Sequence, residues 1–345
     1  MERLEKAVDG YPVPPAWVVG ARSMLVDRAV PRLEFLWMPK TIQPGGSIAL
    51  IRDERGCAPE RKRGWKIHAH RLLRKDGGVQ PAAGPIVDLR LNSPENWAHA
   101  QIFHLPLAQM ARQWLGTTPT ILLTFGTPRF IRALYDHFGF PVIATERPVR
   151  GDIITPRLSA FDVLRPVRRQ LVEGLVEDLD RRRAAGELPS DLPRKIFVVR
   201  AKTRRIQNEA EIEAYLAGQG YTKILPEKLS ASAQIELFNH ATDIVAIHGA
   251  ALAPLLFRSA SQPPFNFVEI LTPGHMATSY RLMAAQVGGH YVGVRGRIKP
   301  EMVEPSYQLD RTYSIHSLDD FTVDIESVRA AQSILAEGGP PDVVA

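Results

Sequence analysis

The sequence predicts an α/β protein whose C-terminal half is a mostly parallel, doubly wound sheet. Three observations carry that expectation. From Lys195 onward, short β-branched runs at 196–200, 222–225, 243–247, 266–271 and 290–294 alternate with amphipathic helical stretches. The stretch 243–257, DIVAIHGAALAPLLF, passes from a buried strand through His248-Gly249-Ala250 into an apolar run that reads as helix. Further upstream, 120–124 and 140–145 read as strands around a helix opened by Thr127-Pro128 and closed by Gly139, so the first half contains a βαβ unit as well.

The turn at His248-Gly249-Ala250 has chemical content. A strand that feeds a helix so abruptly points free backbone N–H groups and the positive end of the helix dipole at one spot. That spot lies at the carboxyl edge of the sheet, where open α/β folds bind anions. Gly249 lets a ligand approach the backbone, and His248 can donate to a phosphate oxygen. Topology brings Arg200, His248 and residues 269–271 to the same crevice. The plainer alternative is an ordinary connection whose histidine is satisfied by a backbone carbonyl.

Composition narrows the partners. A chain of 345 residues fits two domains, and 45% hydrophobic with 23% charged residues describes a soluble globular protein. Its net charge of +6 and pI near 9.5 favour an anionic partner: a nucleotide, a lipid phosphate, a charged polysaccharide or a nucleic acid. No nucleic-acid motif is present, and no Gly-x-Gly-x-x-Gly follows a strand, which argues against a dinucleotide cofactor. No apolar run approaches the roughly 20 residues of a membrane span, and the opening MERLEKAVDG is charged where a signal peptide is apolar. The single Cys57 excludes an internal disulfide. The expected location is the cytoplasm, which leaves room for peripheral attachment at the inner face of the membrane.

Residues 33–38, 47–52 and 86–89 read as strands. The basic stretch 61–75 around Trp65 reads as a solvated hairpin or as a contact for an anionic acceptor. His68 and His70 within it lack a Cys or carboxylate at ligand spacing and make no metal site. Ser93-Pro94 is the signature of a helix start, with Pro106 dividing the helix that follows. Asn96 and His99 share a face there, and a histidine so placed can exchange a proton near neutral pH. Residues 147–157 read as loop, 161–185 as a long helix and 184–194 as a linker. Within the long helix, Glu177, Asp178 and Asp180 form a solvated charged face with Arg181, Arg182 and Arg183 rather than a metal site. Asn208 and Glu211 suggest a capping box. Asp319 or Asp320 can cap a last helix bearing Ile325, Val328 and Leu335.

The segments KIFVVRAKTRRIQNEAEIEAYL, LSASAQIELFNHATDIVAIHGAALAPLLF and NFVEI, with ENWAH upstream, resemble the family 61 glycosyltransferases. Members include bacterial capsular and exopolysaccharide enzymes. The family pattern is matched by Arg200, Arg205, Asn208, Glu209, Gln234, His248, Gly249, Ala250 and Glu269, and its Asn-aromatic-x-His element by Asn96, Trp97 and His99. One departure is Ala251-Leu252-Ala253-Pro254, where the family usually has Gly-Leu-Thr-Asn. Pro254 cannot sit well inside a helix, so the helix is expected to start close to it.

The resemblance implies a GT-B-like architecture of two facing Rossmann-like domains and an inverting, metal-independent transfer with no cofactor. The donor is a nucleotide sugar, a UDP-sugar first among them, and the acceptor a glycan or lipid-linked saccharide. The expected divisions are an acceptor-side domain at 1–160, a connection at 161–194 and a nucleotide-sugar-binding domain at 195–318. A C-terminal helix at 319–345 is expected to return to the first domain. The reaction needs positive groups on the leaving diphosphate, assigned to Arg200, Arg205 and His248 with the N–H groups after it. Glu269 would accept from the ribose hydroxyls. Asn208, Glu209 and Gln234 would bind the nucleotide or brace the arginines. His99, with Asp152 as its rival, is the candidate base. The competing readings are another nucleotide-sugar enzyme of Rossmann type, such as an epimerase-like protein, and a basic nucleic-acid-binding protein.

Overall fold

The computed structural model describes residues 1–21, 32–37, 40–59, 80–81, 83–158, 166–189, 191–299 and 316–338. The basic stretch 61–75, with His68 and His70, lies outside the described residues. The chain divides into two compact units, Met1–Gly10 with Gln43–Leu175, and Tyr11–Ile42 with Val176–Ala345. Strands are numbered along the chain.

In the first unit, β1 (Glu2–Ala7), β6 (Ser47–Ala58), β7 (Gln80–Pro81), β8 (Ile86–Asp88), β9 (Thr120–Leu123), β10 (Val142–Ala144) and β11 (Val149–Leu158) form a seven-stranded sheet. Its order is β1-β6-β11-β8-β9-β10, with β7 beside β11. The β1-β6-β11 part is antiparallel, and β11-β8-β9-β10 is parallel. Helices Leu105–Leu115 and Arg129–His137 make the crossovers that parallel pairing requires. Strand β11 occupies residues that read as loop, because Pro148, Gly151 and Pro156 look like breakers. A register shift between Gly151 and Ile153 absorbs the irregularity, and pairing with β6 supplies the hydrogen bonds.

The helical segment after β8 also differs in detail from its sequence signature. Asn96, not Ser93, is the N-cap: its Oδ1 accepts from the N–H groups of Ala98 at 2.9 Å and His99 at 3.2 Å. Helical turn Trp97–His99 widens into a π-helical stretch, Ala100–His104, before Leu105–Leu115 resumes the α form. Pro106 sits in the first turn of that last piece. There its missing N–H costs little, and the widened turn ahead of it removes the need for a break.

The second unit holds β2 (Tyr11–Val13) paired with β5 (Lys40–Ile42), and a second seven-stranded sheet. That sheet contains β3 (Ala16–Ala21), β4 (Arg32–Trp37), β12 (Lys195–Val198), β13 (Thr222–Ile224), β14 (Asp243–Ile247), β15 (Phe265–Leu271) and β16 (Gly289–Arg295), in the order β13-β12-β14-β15-β16-β3-β4. All neighbours are parallel except β3 and β4. The parallel α/β sheet expected from the alternating pattern is therefore present. The chain reverses direction of travel between β12 and β14, and this is the topological switch point.

Two boundary expectations change. Residues 11–42 join the second unit instead of a first domain at 1–160, because Val18 and Val19 are fully buried where β3 pairs with β16. A strand apolar on both faces is stable inside a covered parallel sheet. The last helix, Ile325–Ala336, expected on the first domain, belongs to the second unit. Its Val328, Ala331 and Leu335 pack into the cluster of Val19, Phe197, Val245 and Val292. Its cap is Asp324, which accepts from Ser327 N–H at 3.1 Å, whereas Asp319 and Asp320 pair with His316 and Arg205.

The charged face of Pro166–Ala184 is paired as well as solvated. Asp178 meets Arg181, Asp180 meets Arg183, and Arg183 reaches Glu236 at 2.7 Å.

Candidate active site

At the switch point, the strand ends place a small set of charged groups on one backbone turn. Arg200 follows β12 by two residues, and its guanidinium is held by Thr203: Nε donates to the carbonyl at 2.9 Å and Nη2 to Oγ1 at 3.1 Å. Its Nη1 donates to the carbonyl of His248, the residue after β14, at 3.3 Å. Arg204 reaches the same carbonyl at 3.5 Å through Nη1, while its Nε donates to Ser317 O at 2.7 Å. Arg204 has φ +57, a left-handed backbone uncommon for a side chain with a Cβ, and so turns opposite to Arg205. Burial is the main influence on Arg200 and lowers its pKa from the ordinary arginine value.

Gly249 is required here by space and not by its dihedral angles. A Cβ on it would lie 1.6 Å from Arg200 Nη1. The following residues, Ala250–Phe257, form a 3-10 helix with Pro254 inside it, not an α-helix that waits for the proline. In an α-helix the Pro254 ring would press on the carbonyl of Ala250, and the tighter winding avoids that clash.

His248 is oriented from behind. Its Nδ1 meets Glu269 Oε1 at 2.5 Å, and Tyr291 donates its hydroxyl to Glu269 Oε2 at 2.7 Å. Glu269 is completely buried, with both oxygens engaged, so it braces the histidine instead of meeting ribose hydroxyls. Burial above all, and then Glu269, holds the Tyr291 phenol well above its ordinary pKa, so it remains a donor. The rings of His275 and Tyr280 stand edge-on to His248 with centroids 5.0 and 5.4 Å away. Among the described residues, no partner occupies His248 Nε2. In its doubly protonated form the ring offers an N–H there to a phosphate oxygen.

The other residues of the family pattern serve the scaffold. Arg205 forms an exposed pair with Asp320, Nη2 to Oδ2 at 2.6 Å, and its backbone N–H also donates to Asp320. Asn208 stands at the N-cap of its helix, but its side chain makes no capping bond. Its amide takes both sides of Val323, accepting from N at 3.0 Å and donating to O at 2.8 Å, and a further bond runs to Glu211. Glu209 pairs with Lys223. Gln234 donates to the carbonyls of Pro226 and Leu229, shaping the turn that carries Glu227, whose charge acts on Arg200. Ala250 opens the 3-10 helix. Sequence reasoning missed Arg204, His275, Tyr280 and Tyr291. The adjacent pair Arg204-Arg205 was visible, but only the left-handed turn decides which arginine faces the site.

In the first unit, His99 and Asp152 are placed very differently. Asn92 and Ser93 are both left-handed, with φ +50 and +55. This strained turn sets the Asn92 carbonyl 2.8 Å from His99 Nδ1. In the neutral ring Nδ1 then carries the proton, and Nε2 is free to accept one. Asp152 instead receives a two-pronged contact from Arg52, Nε to Oδ1 at 2.9 Å and Nη2 to Oδ2 at 2.8 Å. Asp152 is held in this ion pair, which favours His99 over Asp152 as the base.

Nearby His104 is fully buried; burial first, and then His99, hold its pKa down to about 4. The unfolded chain therefore binds a proton that the folded one refuses as pH falls below ~6.5. The fold should lose about 2 kcal/mol between pH 7.5 and pH 5 from this group. Urea melts at both values, compared with a His104→Leu variant, should show a smaller pH loss in the variant.

Residues 122–265 match the family model described as Glycosyltransferase 61. The chain carries a glycosyltransferase family 61 domain. The match runs from the third residue of β9 to the first residue of β15, and takes in Arg200, Arg204 and the His248-Gly249-Ala250 turn. His99 and Glu269 fall outside it. Comparison with curated proteins gave no match. The glycosyltransferase uses a sugar donor and a glycan acceptor. Among its described residues no helix is long and apolar enough to cross a membrane.

Proposed function

We propose that this glycosyltransferase takes its sugar from a nucleoside diphosphate, a UDP-sugar first among the choices, whose diphosphate sits at the carboxyl edge of the second unit's sheet. The observation that carries the proposal is the convergence of Arg200 and Arg204 on the His248 carbonyl, beside a glycine whose Cβ would displace the Arg200 guanidinium. Two guanidinium groups, His248 and the start of the 3-10 helix neutralise charge on the leaving diphosphate, the term that dominates such a transfer. In this reading arginines do the work that a metal ion does elsewhere. His99 takes the proton of the attacking hydroxyl, and a single displacement inverts the anomeric carbon. The GT-B expectation is retained as a division of labour, with the donor on the second unit and the acceptor on the first. The acceptor is a growing glycan or a lipid-linked saccharide in polysaccharide biosynthesis. We place the reaction in the cytoplasm, a location that leaves room for peripheral attachment at the inner face of the membrane.

A thermal-shift panel of nucleoside diphosphates and their sugars, with and without magnesium, tests the donor site. One diphosphate should raise Tm without magnesium, and His248→Ala should abolish the shift. Arg204→Ala should weaken that ligand about tenfold or more, the value of a charged hydrogen bond of about 1.5–3 kcal/mol. Arg205→Ala, which breaks only the Asp320 pair, should change affinity less than about twofold. Equal losses in the two arginine variants would remove the distinction drawn between them, and no response to any nucleotide would remove the donor site.

A further inference from the structure

The first unit contains a built cleft that the donor chemistry does not use. Helix Arg129–His137 begins beyond the carboxyl end of β9 and runs beside β10, at the edge of its sheet. The cleft measures about 500 Å³ and is lined by Arg129, Phe130, Arg132 and Asp136, with Val142 and Ala144 as its floor.

Its chemistry is not that of a packing gap. Phe130 is 51% exposed, unusual for a phenylalanine in a regular helix. Buried Trp97 contacts its ring edge-on, with centroids 5.6 Å apart at 65°. The ring is thus fixed in direction while much of its surface stays open. Arg129 and Arg132 are three residues apart and share one side of the helix. Neither forms an ion pair with a carboxylate among the described residues, and Arg132 Nε is closed to solvent with no acceptor.

An open aromatic surface accepts the C–H face of a pyranose ring. A pair of guanidinium groups beside it accepts a carboxylate or phosphate with matched geometry, and Asp136 can accept sugar hydroxyls. Trp97, which supports Phe130, also opens the helical turn that carries His99, so the cleft and the proposed base share one local frame. We propose that this cleft binds the acceptor and selects an anionic saccharide, a uronic acid or a sugar phosphate. This rests on the glycosyltransferase reading and adds the acceptor class to it.

The test is direct binding by isothermal titration and saturation-transfer NMR. The probes are a disaccharide ending in glucuronic acid, its neutral glucose counterpart, glucose 1-phosphate and inorganic phosphate. At least one charged sugar should bind tenfold or more tighter than the neutral disaccharide and than inorganic phosphate. Preference between the two charged sugars then tells carboxylate from phosphate. Phe130→Ala and the double variant Arg129→Gln/Arg132→Gln should each weaken that binding at least tenfold, with the nucleotide-induced Tm shift unchanged. The proposal is overturned if no sugar binds, if neutral and charged sugars bind alike, if inorganic phosphate binds as well as the tighter of the two charged sugars, or if the variants bind like the wild type. The donor site is read separately: nucleotide binding lost with saccharide binding kept removes the donor reading and leaves the cleft, and the reverse does the opposite.

Discussion

Gly249→Ala should lower donor kcat/KM by about a hundredfold to a thousandfold while leaving the fold nearly as stable as before. The added methyl would meet Arg200 Nη1 at 1.6 Å and its Cζ at 2.8 Å. The group in the way is the far end of a flexible side chain, so the clash is relieved by swinging the guanidinium aside. That movement breaks its bond to the His248 carbonyl and removes a charge from the diphosphate position. Losing one preorganised donor to a developing negative charge costs roughly 10²–10³ in rate. Steady-state kinetics and a thermal melt together decide the matter. A variant with a near-normal donor KM and turnover would show that Arg200 does not meet the diphosphate, and a large fall in Tm would mean that Gly249 matters for packing instead.

His99→Gln should reduce kcat by about a hundredfold or more with nucleotide affinity unchanged, the size expected for removing a general base. Glutamine keeps much of the volume beside Phe103, whose ring is 5.4 Å from that of His99, but cannot take a proton. The strained turn at Asn92 and Ser93 supports the assignment, since left-handed backbone at non-glycine residues persists where the surroundings demand it. Asp152→Asn is the control. It loosens the contact with Arg52, and so should act on stability more than on chemistry. A larger loss of kcat in Asp152→Asn than in His99→Gln would reverse the choice of base.

Sequence alone determined the alternating elements of the second unit, the strand-to-helix turn at His248 and the carboxyl edge where it lies. Those features are local: β-branched runs, glycine and helix-capping patterns act over a few residues, and parallel topology follows from their alternation. It also marked Arg200, His248 and Gly249, whose neighbours in the chain already define the turn. Three other matters were decided only by the tertiary structure. Residues 11–42 add strands to a sheet whose other members lie far along the chain, a pairing no local pattern specifies. Arg204, rather than Arg205, faces the site because a left-handed residue reverses the chain and because Ser317, over a hundred residues away, receives its Nε. Glu269 and Asn208 read as ligands, yet each spends its hydrogen bonds on groups brought from other segments: Glu269 on His248 and Tyr291, Asn208 on Val323. The physical reason is common to all three. A residue's type shows what it can bond to, but its partner is set by which distant backbone the fold delivers to it, and a buried polar group takes that partner before any ligand arrives.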